Sequence, residues 1–461
     1  MSLIRDHSDE CSTSPLEWFN VLPTQTAIEK SSNVEYQSLT ALREGVAVEF
    51  YVPAALGEYT DLHNTKLYLK CKIVRPNGTN LNADNIVAPV NDLFNSLWSN
   101  VELFLNDRLI SHSNNTHGYM SVISHLIHDS DESLHSERAM RLIYKDTPNQ
   151  MNVTEARLAN STQSIPGYDL RVAGDTFEVI PADAIVGNNG LYQRYVQTRA
   201  SKPVEMLGRL RIDMCEQERY LPNGVSMKLR FHRQRYAFML MSGENFKIEL
   251  LDATLLVRRV RPSPGVLAGH ADAILKMPAK FPVTRKEVKT ISLARGLRGV
   301  KQDSLFLGQL PKRVVVCMVD GSAFAGAFAE NPYNFKHYSM NHIQLFRDGE
   351  PVRSRTLRPN LAAGNYLNCY ETLYSGLNNM DGEKATIIKR CDWDKGYSLC
   401  AFDLTPDMDA DDHYSLISHG NLRLDVEFAA PLANTVDIIV YAEFDNVLEI
   451  TADRNIQMDY V

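Results

Sequence analysis

The stretch PVNDLFNSLWSNVELFLNDRLISHSNNTHGYMSVISHLIHD, residues 89–129, changes its period halfway along. Val101, Leu103 and Leu105 alternate with Glu102 and Asn106, the period-two pattern of a half-buried strand. Asn106-Asp107 offers a tight turn and Leu109-Ile110 starts a return strand, so the first part reads as a hairpin. After a polar Ser/Asn/Thr/Gly loop the spacing becomes helical. Tyr119, Val122, Ile123, Leu126 and Ile127 fall at i, i+3, i+4, i+7 and i+8, on one helix face.

The same order of elements returns in the second half. In SMNHIQLFRDGEPV, residues 339–352, Ile343 and Leu345 stand where Val101 and Leu103 stood, and the turn falls at Asp348-Gly349. In NYLNCYETLYSGL, residues 365–377, Tyr366, Cys369, Tyr370, Leu373 and Tyr374 repeat the helical stripe. The strands match at an offset of 242 residues and the helices at 247. A hairpin, its turn and a following helix recurring in the same order point to two copies of one domain.

Working outward, each copy shows short alternating strands. In the first these are Val46 to Val52, Leu67 to Ile73, Leu207 to Met214, Val225 to Phe231 and Phe246 to Leu250. In the second they are Val288 to Leu293, Val314 to Val319, Leu422 to Phe428 and Val436 to Val440, with Phe428 matched to Phe231. Turn signals at Pro76-Asn77-Gly78 and Asn223-Gly224 punctuate them. Many alternating strands with one conspicuous helix per copy predict an all-β fold of two tandem jelly-roll sandwiches, with short helices in the loops. The expected divisions are an N-terminal arm at 1–40, a first jelly roll at 41–260, a linker at 261–283, a second jelly roll at 284–453 and a C-terminal tail at 454–461. The arm is polar apart from an apolar knot at Leu16-Glu17-Trp18-Phe19, which suits docking on a neighbouring subunit. Residues 129–200 are polar and weakly patterned, with a short helix expected near Ser136 to Tyr144.

Bulk composition excludes several classes. No apolar run approaches the roughly 18 residues of a membrane helix, and MSLIRDHSDECSTS has no secretory core. Synthesis inside the cell without secretion is therefore expected, leaving triplets such as Asn77-Gly78-Thr79 unglycosylated. The seven cysteines fall at no metal or disulfide spacing and read as reduced thiols. Net charge is −8 but uneven: Arg199 to Arg313 holds 23 Lys+Arg against 10 Asp+Glu, leaving 25 against 46 elsewhere. That basic segment reads either as solvated faces or as a surface meeting an acidic neighbour, nucleic acid or another subunit.

Catalytic patterns are missing. There is no Gly-rich phosphate loop, G-x-S-x-G, H-E-x-x-H or H-x-H pair. Histidine concentrates at His112, His117, His125, His128 and His135, with His125 and His128 one helical turn apart and Asp129 next. The readings are a solvated helix face, a pH-sensing interface cluster or a metal site. Asp407, Asp409, Asp411 and Asp412 resemble a calcium loop but lack its Gly and distal Glu, and read as an exposed loop tip. No catalytic, cofactor-binding or metal-ligating residue is predicted, and no enzyme activity or cofactor.

PVNDLFNSLWSNVELFLNDRLIS followed by GYMSVISHLI resembles the first jelly roll of double jelly-roll, hexon-type major capsid proteins, most nearly those of Polinton/Maverick elements and adintoviruses. The likeness runs from about Val21 to the C-terminus. It implies a structural virion protein that forms homotrimers, pseudo-hexameric capsomers and an icosahedral shell. Its partners would be further copies of itself, penton or minor capsid proteins and, non-specifically, packaged DNA, with assembly in nucleus or cytoplasm. The alternatives are a jelly-roll glycan-binding or glycan-processing protein and a minor vertex capsid protein.

Overall fold

The computed structural model describes residue 18 and residues 24–82, 85–130, 136–154, 157–158, 185–306, 308–379, 386–406 and 413–459. Eight strands build the first sandwich: β1 (Ile28–Gln37), β2 (Val48–Val52), β3 (Tyr59–Val74), β4 (Trp98–Leu105), β5 (Arg108–His112), β6 (Val204–Arg209), β7 (Met227–Arg233) and β8 (Lys247–Pro262). They pair in the orders β1-β8-β3-β6 and β2-β7-β4-β5. The second sandwich uses β9 (Ala279–Leu293), β10 (Gly299–Gln302), β11 (Arg313–Asp320), β12 (Met340–Arg347), β13 (Glu350–Pro351), β14 (Cys400–Asp403), β15 (Leu422–Phe428) and β16 (Val436–Ile450). Its orders are β9-β16-β11-β14 and β10-β15-β12-β13, with β17 (Ile456–Met458) added on β16. Each strand of the first copy thus has its counterpart eight labels later. The protein is a double jelly roll.

The ladders fix the register of the duplication. Leu229 lies opposite Leu103, and Leu424 opposite Leu345. All four are fully buried, because alternation puts them on the inner faces. The turn residues Asn106, Asp107, Asp348 and Gly349 all have positive φ, the backbone a two-residue hairpin requires. One match moves. Phe231 pairs with Val101 and Val426 pairs with Ile343, so Val426 is the ladder counterpart of Phe231, not Phe428. A slip of two residues leaves an alternating pattern unchanged, which is why sequence could not see it.

Four longer helices accompany the strands: α1 (His117–His128), α2 (Asn189–Thr198), α3 (Pro264–Ile274) and α4 (Leu367–Ser375). The stripes of α1 and α4 lead to different surroundings. α4 packs on β14, where Ala401 N donates to Thr372 Oγ1 at 3.1 Å. Only Cys369, Thr372 and Leu373 are buried on it. α1 is buried from His117 to Ile127, because it leaves its own sandwich and packs into the core of the second. Gly118 allows the approach: a Cβ there would stand 2.6 Å from Tyr333 Oη. The crossing is reciprocal, since Phe281, Val283, Leu448, Ile450 and Ile456 join the core of the first sandwich.

Three expected connections carry regular structure. β1 lies within the segment read as an arm. Its sequence IEKSSNVEYQ is exposed or half-buried throughout, so an edge strand held by its backbone to β8 shows no apolar period. The segment read as a linker holds α3 and the start of β9. Pro264 stands in the first turn of α3, where a missing N–H costs nothing. The segment read as a tail holds β17. The expected short helix is a 3₁₀ turn at Glu137–Arg141.

Leu103→Ala in β4 and Leu345→Ala in β12 should each lower stability by about 2–5 kcal/mol, and by similar amounts, since they empty equivalent core sites. Urea unfolding of the two variants measures both the size and the equality.

Candidate functional site

Side chains with chemical potential gather at the seam between the sandwiches, around α1. Its N-terminal half makes an aromatic contact. The Tyr119 ring lies 5.5 Å from Phe238 and Phe324 and 5.7 Å from Tyr333, and the last two belong to the second half. Ser96 Oγ and Tyr333 Oη are 2.5 Å apart across the same seam.

The C-terminal half of α1 carries charge. His125 is wedged between two carboxylates: Nδ1 is 2.7 Å from Asp129 and Nε2 is 3.3 Å from Asp92. Asp92 also accepts from Ser121 Oγ at 2.7 Å and from Asn95 Nδ2 at 2.8 Å. Burial alone would raise the Asp92 pKa. The hydrogen bond and charge of His125, with Arg141 and Asn95, outweigh it and hold the carboxyl well below its usual range. Arg138 pairs with Asp129 on the far side. His128, one turn on, reaches across the seam to Glu443 of β16 at 3.1 Å. Glu443 also accepts from Tyr441 Oη at 2.7 Å and lies 3.7 Å from Arg313. Burial raises its pKa too, but His128, Lys286 and Arg313 outweigh that and keep it ionised.

Lys286 of β9 closes the seam from the other side, donating to Glu216 at 2.5 Å and to Ser124 Oγ of α1 at 3.4 Å. Its backbone N–H donates to Asp213 Oδ1 at 3.3 Å. Here burial wins: the Asp213 carboxyl is pushed up to about 7, against the pull of the Lys286 charge. A cleft of about 400 Å³ opens beside it, lined by Ile110, His112, Met120, Arg285, Lys286 and Met458 among others.

The predicted histidine group is therefore dispersed. His112 is exposed, and His117 is buried beside Ser113, where burial pushes its pKa down to about 4. His125 is buried rather than on a solvated face, and His128 is partly exposed in its salt bridge. His135 and the Asp407–Asp412 loop lie outside the described residues. Among the described residues no cluster of three or more His, Cys, Asp or Glu could hold a metal. Six described cysteines are free thiols, five of them buried.

Several bases of the basic segment pair with acids elsewhere in the same chain. Arg258 pairs with Asp61 at 2.9 Å, Arg261 with Glu58 at 3.2 Å, and Arg230 with Glu49 at 2.6 Å. Lys312 pairs with Asp445 at 2.8 Å, and Arg313 lies near Glu443. Arg259 is buried and donates to Thr60 Oγ1 and Pro53 O. What this constellation does chemically is weld. Donors and carboxylates pair across the seam, and in the cleft Ser111 Oγ donates to Asp213 at 3.4 Å while Ser113 Oγ lies 3.1 Å from His117 Nδ1.

No family model matches the chain. An uncharacterized protein of Caenorhabditis elegans, F54H12.2, is 21% identical over 456 residues, covering 95% of this chain and 99% of its own length. Among solved structures, a chain of the Sputnik virophage is similar with a TM-score of 0.63 at 12% identity, covering 98% of this chain and 92% of that one. A chain of the PBCV-1 virus capsid gives 0.54 at 11% identity, covering 96% and 99%. The mavirus major capsid protein gives 0.52 at 9% identity, covering 98% and 95%. These likenesses run over both jelly rolls and show the fold.

Asp213 sets a pH dependence whose sign follows from its raised pKa. Between the unfolded value near 3.9 and the folded value of about 7, folding takes up a proton, so this group stabilises the fold as pH falls. Asp92 and Glu443, both depressed, keep their contribution until pH falls through the ordinary carboxylate range. Going from pH 8 to 5.5, the Asp213 contribution should be about 2 kcal/mol. Asp213→Asn should abolish it, leaving the variant relatively more stable at pH 8. Urea midpoints of both proteins at the two pH values test this.

Proposed function

We propose that the protein is a major capsid protein, trimerising into pseudo-hexameric capsomers that tile an icosahedral shell. The observation that carries the reading is the pair of jelly rolls with identical strand order in one chain, welded side by side. A sandwich buries its inner faces within itself and leaves ends and lateral faces for partners. Two such units make a wedge with two similar flanks, and three wedges close a ring through one repeated heterologous contact. The outline approximates a hexagon, which tiles a surface. The solved structures it is similar to, from Sputnik, PBCV-1 and mavirus, are described as a virophage, a virus capsid and a major capsid protein.

The narrower reading, a capsid protein of Polinton/Maverick elements or adintoviruses, is supported by the relative in a nematode that matches over nearly the whole chain. Such a relative suits an element carried in animal genomes. The role is structural and needs no cofactor. Assembled in this way, the protein works in the virion, alongside penton or minor capsid proteins. In domain terms the first unit closes with β8 and the second opens with β9, joined through α3.

The purified protein should be a homotrimer of about 156 kDa, three times 52.0 kDa. Light scattering on a size-exclusion column measures this. A monodisperse monomer at micromolar concentration would leave the fold intact and remove the capsomer reading.

A further inference from the structure

The seam inside one chain is a template for a second contact. Across the second sandwich runs the row Val288–Tyr441–Val315–Ala401, one residue from each of β9, β16, β11 and β14. All four are buried. Alternation puts Tyr441 on the same face as Glu443, and α1 of the first sandwich lies on that face, joined by His128 to Glu443 and by Ser124 to Lys286. The matching sheet of the first sandwich has the same strand order, but its outer face is open. Its row Gln37–Thr254–Tyr68–Leu207 takes one residue from each of β1, β8, β3 and β6. Tyr68 and Leu207, with Leu256 of β8, form a half-buried apolar centre, and Lys66, Glu205 and Arg209 around them are exposed.

A solvated outer face is ordinary for an antiparallel sheet. The duplication singles this one out. Within the chain, the excursion between β5 and β6 of sandwich one meets the outer sheet face of sandwich two. Where sandwiches follow one another around a closed ring, the step from sandwich two to the next sandwich one repeats that geometry. It brings the excursion between β13 and β14, which holds α4, onto the outer face of β1-β8-β3-β6 in the next copy. Both sides suit the contact. α4 packs on β14 and leaves Leu367 52% exposed, with half-buried Tyr370 and Tyr374 at i+3 and i+7 on the same helix face. On the receiving sheet an apolar centre is ringed by charge, the anatomy of a protein–protein contact. Part of that ring is already paired, Lys70 with Glu205 at 2.7 Å and Lys72 with Glu249 at 3.2 Å, so covering it strands neither pair.

We propose that the outer face of the β1-β8-β3-β6 sheet receives the second sandwich of a neighbouring copy, with Leu367 and Tyr374 of α4 meeting Tyr68, Leu207 and Leu256. This rests on the self-assembly proposed above and names the two surfaces that perform it.

Light scattering across a dilution series of the full chain tests it. Tyr68→Asp with Leu207→Asp, and separately Leu367→Asp, change exposed or half-buried positions and should keep the wild-type circular dichroism. Each should raise the half-association concentration at least about tenfold. Should the double variant lose its fold, Leu256→Arg on the same face takes its place. Tyr51→Asp, on β2 of the other sheet, alters a residue 44% exposed and should leave association unchanged. Mixed at high concentration, the two interface variants should form a pair of about 104 kDa, twice 52.0 kDa, and no trimer. One retains α4 and the other the receiving face, so a single contact forms, whereas a ring needs three. Association that resists Tyr68→Asp with Leu207→Asp but yields to Tyr51→Asp places the contact on the other sheet and overturns the proposal while self-assembly stands. Association unchanged in all the variants, or trimers from the mixture, overturn it in the same way. A wild-type chain that stays at 52 kDa at every concentration removes self-assembly and this contact together.

Discussion

Everything distinctive in this molecule follows from one helix being buried on nearly all sides. α1 begins beside the first sandwich and ends against β16 of the second. A sandwich sheet ordinarily shows one face to water, and its strands alternate accordingly. β3 does so, but β11 is buried at every residue, and β16 is buried without a break from Val436 to Phe444. The outer face of that second sheet is a floor for α1, with Tyr441 and Glu443 pointing up into the seam. Once the floor is apolar the second sandwich cannot stand alone in water, and the two copies behave as one body.

Charge completes what packing begins. A seam sealed by apolar contact alone would tolerate sliding, since such contact has no direction. His125 between Asp92 and Asp129, and His128 on Glu443, fix α1 along its axis and about it. Buried ion pairs add little net stability over an apolar equivalent, but breaking one partner strands a buried charge. They act here as a register device. Several bases of residues 199–313 are paired in the same way with acids of the flanking sequence.

What sequence revealed depended on whether a feature is local. The hairpin at Asn106-Asp107, the helix stripe of α1 and the repeat of both are written in spacing, and they led to the architecture. β1 was missed because an exposed edge strand has no period. α3 was missed because its segment was read as a linker, whereas Pro264 sits in a helix's first turn, where proline is welcome. The burial of His125 was invisible for a different reason. Its partner Asp129 is four residues away, but Asp92, Arg141 and Arg211, which surround it, come from elsewhere in the first half, and no local pattern encodes them or the floor that the second sandwich supplies to α1. The signal that could have disclosed it was the unbroken apolar run Val314 to Val319. A two-sided burial was legible there, though not what lay on the second side.

The duplication also explains where divergence was allowed. The pairs β4 with β7 and β12 with β15 keep length and register in both copies, since one slipped residue would turn an inner face outward. The connections carry no such constraint. Between β5 and β6 the first copy makes a long excursion holding α1 and α2, whereas between β13 and β14 the second makes a shorter one holding α4. The longer excursion crosses the seam and the shorter one folds back on its own sandwich. Two copies that both crossed would compete for the same volume, and two that both folded back would leave an uncovered sheet on each. One of each closes the body, which makes the asymmetry of the halves a consequence of joining them in a single rigid unit.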